Sequence, residues 1–280
     1  MLGDRPLVVK RPCGTLAVSM TVLERRVAID AAHAAGDLLR REARGARQIA
    51  YKGAPTNLVT EMDARAEALI LDALDRAFPD DAILTEETGS RSGRSGRRWI
   101  VDPLDATTNY AHGVPVFAVS IALEVERSVV LGVVYDPSRR ELFVAERGHG
   151  AWLGDERLHV STAEVLDESL LATGFPYNIR ETSDTNLAEW AAFSLRARAV
   201  RRLGSAVLDL AWLAAGRLDG YWELRVGPWD VAAGSLLVEE AGGRVTDLGG
   251  GRLDLEAPTI VASNGRIHEG MLKVLREIRT

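Results

Sequence analysis

Trp99-Ile100-Val101-Asp102-Pro103-Leu104-Asp105-Ala106-Thr107-Thr108-Asn109 is the stretch on which the reading of this chain turns. An apolar, β-branched run reads as a buried strand that delivers Asp102 to a sheet end. Pro103 fixes its own φ and withdraws a backbone donor. Leu104 is then expected on the other side, so that Asp102 and Asp105 converge. Two carboxylates held that close favour a divalent cation, since otherwise one of them keeps a proton. With hard oxygen ligands and no His or Cys nearby, the chemistry points to Mg²⁺ or Mn²⁺ rather than Zn²⁺. The turn Ala106-Thr107-Thr108 supplies N–H groups and hydroxyls, and a short helix starting there would present a phosphate site. An isolated Asp-Pro-x-Asp is more simply an Asx-type turn. The Thr-Thr-Asn that follows, and further acid clusters, reverse that preference.

Those clusters are Glu86-Glu87 and Trp229-Asp230, each beside an element end. Taken alone, Asp230 reads as a helix cap, Asp63 as the partner of Thr60 in a capping box, and Glu86-Glu87 as a solvated edge. One shared metal site explains all of them together.

Periodicity predicts helices over 22–46, 63–78, 187–195, 206–215 and 231–241, with a terminal helix from Arg266. Strands are expected over 82–84, 99–101, 117–125, 129–135, 141–145, 170–175, 218–223 and 260–262. The fold class is α/β: an α+β half over 21–148, then an α/β half over 149–280. Residues 1–20 read as a disordered extension, with Met20 an alternative start. The basic stretch 88–98, with Arg91, Arg94, Arg97 and Arg98, reads as a flexible solvated loop.

Composition sets outer bounds. The 280 residues are 46% hydrophobic and 26% charged, ordinary for a globular protein. A net charge of −6 disfavours generic nucleic-acid binding. The single cysteine, Cys13, allows no internal disulfide. The chain has no apolar run that approaches the roughly 20 residues needed to span a bilayer. The expectation is a soluble cytoplasmic protein with no membrane or nucleic-acid partner.

The stretch 99–109 resembles a signature of the inositol monophosphatase family, within the lithium-sensitive, magnesium-dependent phosphatases. The stretch 229–243, Trp-Asp-Val-Ala-Ala-Gly-Ser-Leu-Leu-Val-Glu-Glu-Ala-Gly-Gly, is similar to a second signature. The likeness extends to 57–63, to Thr85-Glu86-Glu87 and to Gly204-Ser205-Ala206, in order over about 22–275. It implies a layered αβαβα sandwich, a homodimer, and metal-dependent hydrolysis of a small phosphorylated polyol or sugar. By the same resemblance, Glu86, Asp102 and the Leu104 carbonyl would hold one Mg²⁺, and Asp102, Asp105 and Asp230 a second. Asp63 would hold a weaker third ion through waters. Thr107 with Glu86 would position the attacking water. The backbone of Ala106 and Thr107 would cradle the phosphate. Glu223, Gly204, Ser205 and Ala206 would face substrate hydroxyls, and Lys52 would lie over the metals.

Two departures stand out: Ala106 replaces the usual glycine, and Asn57 a frequent aspartate. The stretches 173–177 and 204–210 resemble bacterial inositol phosphatases, which ranks inositol 1-phosphate first among substrates. Histidinol phosphate, fructose 1,6-bisphosphate and 3′-phosphoadenosine 5′-phosphate are the alternatives. A non-catalytic binding or regulatory protein on the same fold is the reading from another class.

Overall fold

The computed structural model describes residues 22–43, 45, 49–51, 58–257 and 259–279. The extension 1–20, Lys52 and Asn57 lie outside the described residues. The first helix, α1 (Val22–Glu42), turns Ala28, Ala31, Ala32, Ala35 and Leu39 inward at helical spacing. β1 (Ile49–Tyr51) and β2 (Leu58–Thr60) pair antiparallel. α2 (Glu61–Ala77) begins two residues before its expected start, because Thr60 caps it in a reciprocal box with Asp63. Its Met62, Ala66, Ile70 and Leu74 bury one stripe, each large side chain contributing roughly 2 kcal/mol.

An eight-stranded sheet follows. Its strands are β3 (Ala82–Thr85), β4 (Gly89–Arg91), β5 (Arg97–Asp105), β6 (Ala118–Val125), β7 (Ser128–Asp136), β8 (Glu141–Glu146), β9 (Gly150–Leu153) and β10 (Glu156–Arg157). A short helix, α3 (Thr107–Ala111), leaves the end of β5. The spatial order is β10-β9-β8-β7-β6-β5-β3-β4. β3 and β5 run parallel, which brings their C-terminal ends together.

The rest of the chain alternates: β11 (Leu170–Thr173), α4 (Leu187–Ser194), β12 (Ala199–Arg201), α5 (Ala206–Ala214), β13 (Gly220–Glu223), α6 (Pro228–Glu240), β14 (Arg244–Thr246), β15 (Ile260–Ser263) and α7 (His268–Ile278). The five strands form a second sheet in the order β12-β11-β13-β15-β14.

The cores show the layering. α1 and α2 pack on one face of the large sheet. α5 and α6 fill the space between its other face and the second sheet. α4 and α7 cover the far face of the second sheet. The order is helix, sheet, helix, sheet, helix, as the resemblance implied. α6 lies so close to β7 that a side chain at Gly132 would meet the Ala233 backbone, its carbonyl oxygen 2.8 Å away.

The expected loop at 88–98 is structured. It contains β4 and the start of β5, and its arginines are tied to carboxylates: Arg94 to Asp80 at 2.6 Å, Arg97 to Glu24 at 2.6 Å, and Arg98 to Glu124 at 2.8 Å. Arg97 also reaches Asp81.

Candidate active site

The parallel pairing of β3 with β5 builds the first wall. Thr85 sits opposite Val101, and Glu86 N donates to Val101 O at 3.3 Å. Glu86 therefore leaves β3 beside Asp102 as Asp102 leaves the regular part of β5. Glu67, on α2 and almost fully buried, accepts from the backbone of Glu87 and Thr88 at 3.2 Å each, holding the turn that carries Glu86.

β5 explains how Asp102 and Asp105 come to one side. In a regular strand, residues three apart point to opposite faces. Here Asp102 pairs with Ser120 and Asp105 with Ala118, so Pro103 and Leu104 together face Val119 alone. This bulge adds one residue and flips the alternation. Trp99 and Val101 lie in the core beneath α1 and α2 and Ile100 in the other; past the bulge, Leu104 joins Trp99 and Val101. The two acids converge, and Leu104 N donates to Asp102 Oδ1 at 3.0 Å.

The second half of the chain supplies the opposite wall. Asp230 occupies the first turn of α6 and accepts from Gly227 N at 2.5 Å, so its capping role is real. Its remaining reach is toward the acids of β5. Oxygens of Asp102, Asp105 and Asp230 lie within 4.8 Å of one another. Asp105 also accepts from the Ser205 hydroxyl and from Val207 N at 3.1 Å, tying the end of β5 to the start of α5. Asn109 on α3 makes a second tie, donating to Val116 O and Leu203 O at 2.8 Å each.

Electrostatics follow from this crowding. Burial raises Asp102 well above the carboxylate range, and the charges of Glu86, Asp105 and Asp230 add to it. Burial also lifts Asp230, with Asp105 and Glu86 contributing. Asp105 is pushed up to about 7 by burial, against the bonds from Ser205 and Val207. Asp102 Oδ2 is buried with no hydrogen-bond partner. A hard divalent cation answers each of these features: it compensates the acids and takes up the orphaned oxygen.

Glu86 and Asp63 lie outside that close triad, in different ways. Glu86 is near enough for its charge to act on Asp102 and Asp230. Asp63 is fully buried with both oxygens engaged. Oδ2 accepts from Thr60 N at 2.8 Å and from the Thr60 hydroxyl at 2.7 Å, while Oδ1 accepts from Thr107 Oγ1 at 2.8 Å. Ala106, the residue before α3, holds the left-handed conformation with φ 70° and ψ 47°. An alanine pays for that geometry where a glycine would not.

A pocket opens beside the triad. Asp105, Asp230, Gly204, Ser205, Ala206 and Glu223 all line it, so the residues expected to face substrate do share one cavity. Thr173 lies opposite Trp222 in the parallel pair β11–β13, which sets Gly174 against Glu223. A side chain at Gly174 would collide with the Glu223 carboxyl. Burial pushes Glu223 up to about 7, opposed by the Tyr221 hydroxyl and by Arg202. Sequence reasoning missed Glu67, Tyr177, Arg202, Asp209 and Arg225 around this site. Asp209 left a signal: it is the lone charge within the apolar run 206–215.

The fold is a layered αβαβα sandwich with an acidic cluster between its two sheets. A family model described as the inositol monophosphatase family matches residues 23–280, and the chain belongs to that family. The "Nus factor SuhB" of Escherichia coli (strain K12) is 43% identical over 254 residues, covering 90% of this chain and 95% of that protein. An "Inositol-1-monophosphatase" of Synechocystis sp. (strain ATCC 27184 / PCC 6803 / Kazusa) is 46% identical over 230 residues, covering 82% and 80%. Among solved structures, the inositol monophosphatase of Anabaena (Nostoc) sp. PCC 7120 superposes with a TM-score of 0.83 at 42% identity, covering 90% of this chain and 95% of that one. No helix among the described residues is long and apolar enough to cross a membrane.

Proposed function

We propose that this protein is a Mg²⁺-dependent phosphatase that hydrolyses inositol 1-phosphate, acting as a cytoplasmic homodimer. One observation carries the reading: Asp102, Asp105 and Asp230 converge with Asp102 Oδ2 buried and unpartnered. Glu86, Asp102 and the Leu104 carbonyl would hold one ion, and Asp102, Asp105 and Asp230 the other, with Asp63 near a weaker third. Bound there, the metal supplies an acidified water and neutralises charge on the phosphate.

The chain's own groups do the positioning. Thr107 donates its proton to Asp63, which leaves its oxygen to accept from a water held with Glu86. The backbone N–H groups of Ala106 and Thr107 point the phosphate toward that water, the alignment that phosphoryl transfer chiefly needs. Glu223, with Gly204, Ser205 and Ala206, receives the hydroxyls of the alcohol part.

The "Nus factor" name of the Escherichia coli relative favours a second reading, a binding or regulatory protein on the same fold. All the acids such a protein could dispense with are present here. Phosphate release from inositol 1-phosphate, fructose 1,6-bisphosphate, histidinol phosphate and 3′-phosphoadenosine 5′-phosphate, with Mg²⁺ and with chelator, separates the two. The expected result is Mg²⁺-dependent release with inositol 1-phosphate preferred. Folded protein inert toward all four would leave the regulatory reading standing.

A further inference from the structure

Two buried side-chain oxygens among the described residues lack a hydrogen-bond partner, and both are carboxyl oxygens at this site: Asp102 Oδ2 and Asp209 Oδ1. The metal cluster accounts for the first. Asp209 lies outside that cluster and needs its own explanation.

Asp209 sits on α5 one turn beyond Ser205, so both project from the helix face that lines the pocket. It is 1% exposed. The ordinary fates of a buried acid are closed to it. It does not cap α5: Val207 N serves Asp105, Leu208 N serves the Ser205 hydroxyl at 3.1 Å, and its own N–H serves Ser205 O at 2.9 Å. No cation among the described residues lies within ion-pair distance; Arg202 acts on it only from further away. A buried acceptor left unmade costs free energy, and each such group in a native protein calls for a ligand or a task.

We propose that Asp209 is a substrate-binding residue that determines specificity: its carboxyl takes a hydroxyl of the substrate's alcohol part beside the one taken by Glu223, so that the pocket selects monoesters of polyols carrying at least two hydroxyls. The inference rests on the phosphatase reading and deepens it. Burial, reinforced by the charges of Glu223 and Asp105, raises Asp209 well above the usual carboxylate range. A neutral carboxyl can donate as well as accept, which complements a hydroxyl in either sense. A site built to hydrogen-bond a hydroxyl rejects an analogue without one far better than an apolar site can.

The test compares kcat/KM for inositol 1-phosphate with that for phenyl phosphate, whose alcohol part carries no further hydroxyl. Wild type, Asp209→Asn, Asp209→Ala and the volume-matched Asp209→Leu are measured after thermal melting has verified folding. The ratio of the two values is expected to fall at least tenfold in Asp209→Ala and Asp209→Leu, mainly through KM for inositol 1-phosphate. Asp209→Asn keeps a donor and an acceptor and should recover most of the ratio. An unchanged ratio in the Ala and Leu variants overturns the inference, because a merely structural acid would lower both substrates together. Calorimetric binding of inositol 1-phosphate to the same proteins decides the point independently: tenfold weaker binding in Asp209→Ala supports it, and equal binding overturns it. A wild type that turns over neither ester would defeat the phosphatase reading alone, since the binding measurement still judges Asp209.

Discussion

The arginine-bearing edge around β4 and the acid-lined cavity between the two sheets are both dense in charge, and they treat it oppositely. At the edge, each charge has its counter-charge. Arg91 meets Asp75, Arg94 meets Asp80, Arg97 meets Glu24 and Asp81, and Arg98 meets Glu124 and Glu256. Burial works against the charge of Arg97, and the bonds to Asp81 and Glu24 outweigh it. In the cavity, Asp102, Asp105 and Asp230 press on one another, and although Arg202 and Arg225 line the same pocket, none of the three acids is in a salt bridge among the described residues. The edge is complete as folded, whereas the cavity needs something from solution. Charge density by itself does not distinguish structure from function; unmet charge does.

Four substitutions sharpen or break that contrast. Asp105→Asn should have the largest effect. It removes one charge from the cavity while an amide oxygen can still accept from Ser205 and Val207. Mg²⁺-dependent phosphate release is expected to fall by a factor on the order of 10³ or more, with the melting temperature unchanged or higher. Retained turnover would mean that the cavity's unmet charge is not the catalytic one. Arg97→Met should do the reverse. Glu24 and Asp81, both buried, lose the guanidinium, while Asp81 keeps the bond from Trp99 Nε1 at 2.9 Å; urea unfolding is expected to show a loss of about 3 kcal/mol with turnover by the folded fraction intact.

Ala106→Gly probes strain at the cavity's rim. Relief of the left-handed alanine, less the entropy a glycine adds to the unfolded chain, should stabilise by about 0.5–1 kcal/mol in the same assay. A destabilised glycine variant would show that the neighbouring contacts favour the methyl group. Arg94→Ala should matter least: its side chain is 86% exposed, and a change under about 0.5 kcal/mol is expected. A larger loss would mean that the edge acts as one network rather than as separate pairs.

Much of this was legible in the chain because the relevant signals are local. The apolar run before Asp102, the stripe 62–74 on α2 and the glycines after α6 each declare an element within a dozen residues. The capping partnership of Thr60 and Asp63 was equally readable, and it holds. The convergence of Asp102 and Asp105 was expected from Pro103 and the turning of Leu104 to the other side, and it holds; the bulge that produces it, with Pro103 and Leu104 facing Val119 alone, was not readable. Strands β9, β10, β12 and β14, each two to four residues long, are too short to show a period and exist through their neighbours. The basic stretch looked solvated because its counter-ions, among them Glu24, Asp75, Glu124 and Glu256, come from distant parts of the sequence. Asp209 was hidden for the opposite reason. Its helix reads as core, and the lone acid in that apolar run is a signal without a meaning until the pocket is seen beside it.

The ties of Asp105 to Ser205 and Val207, and of Asn109 to Leu203, reach from one half of the polypeptide to the other. Asp102 and Asp105 are translated well before Asp230, and until α6 is made the triad is two acids without their third. A chain that stops anywhere short of that helix carries the first signature and none of the assembled site. Completeness of the polypeptide is thereby a precondition for gathering the three acids, and a truncated copy could not present them together.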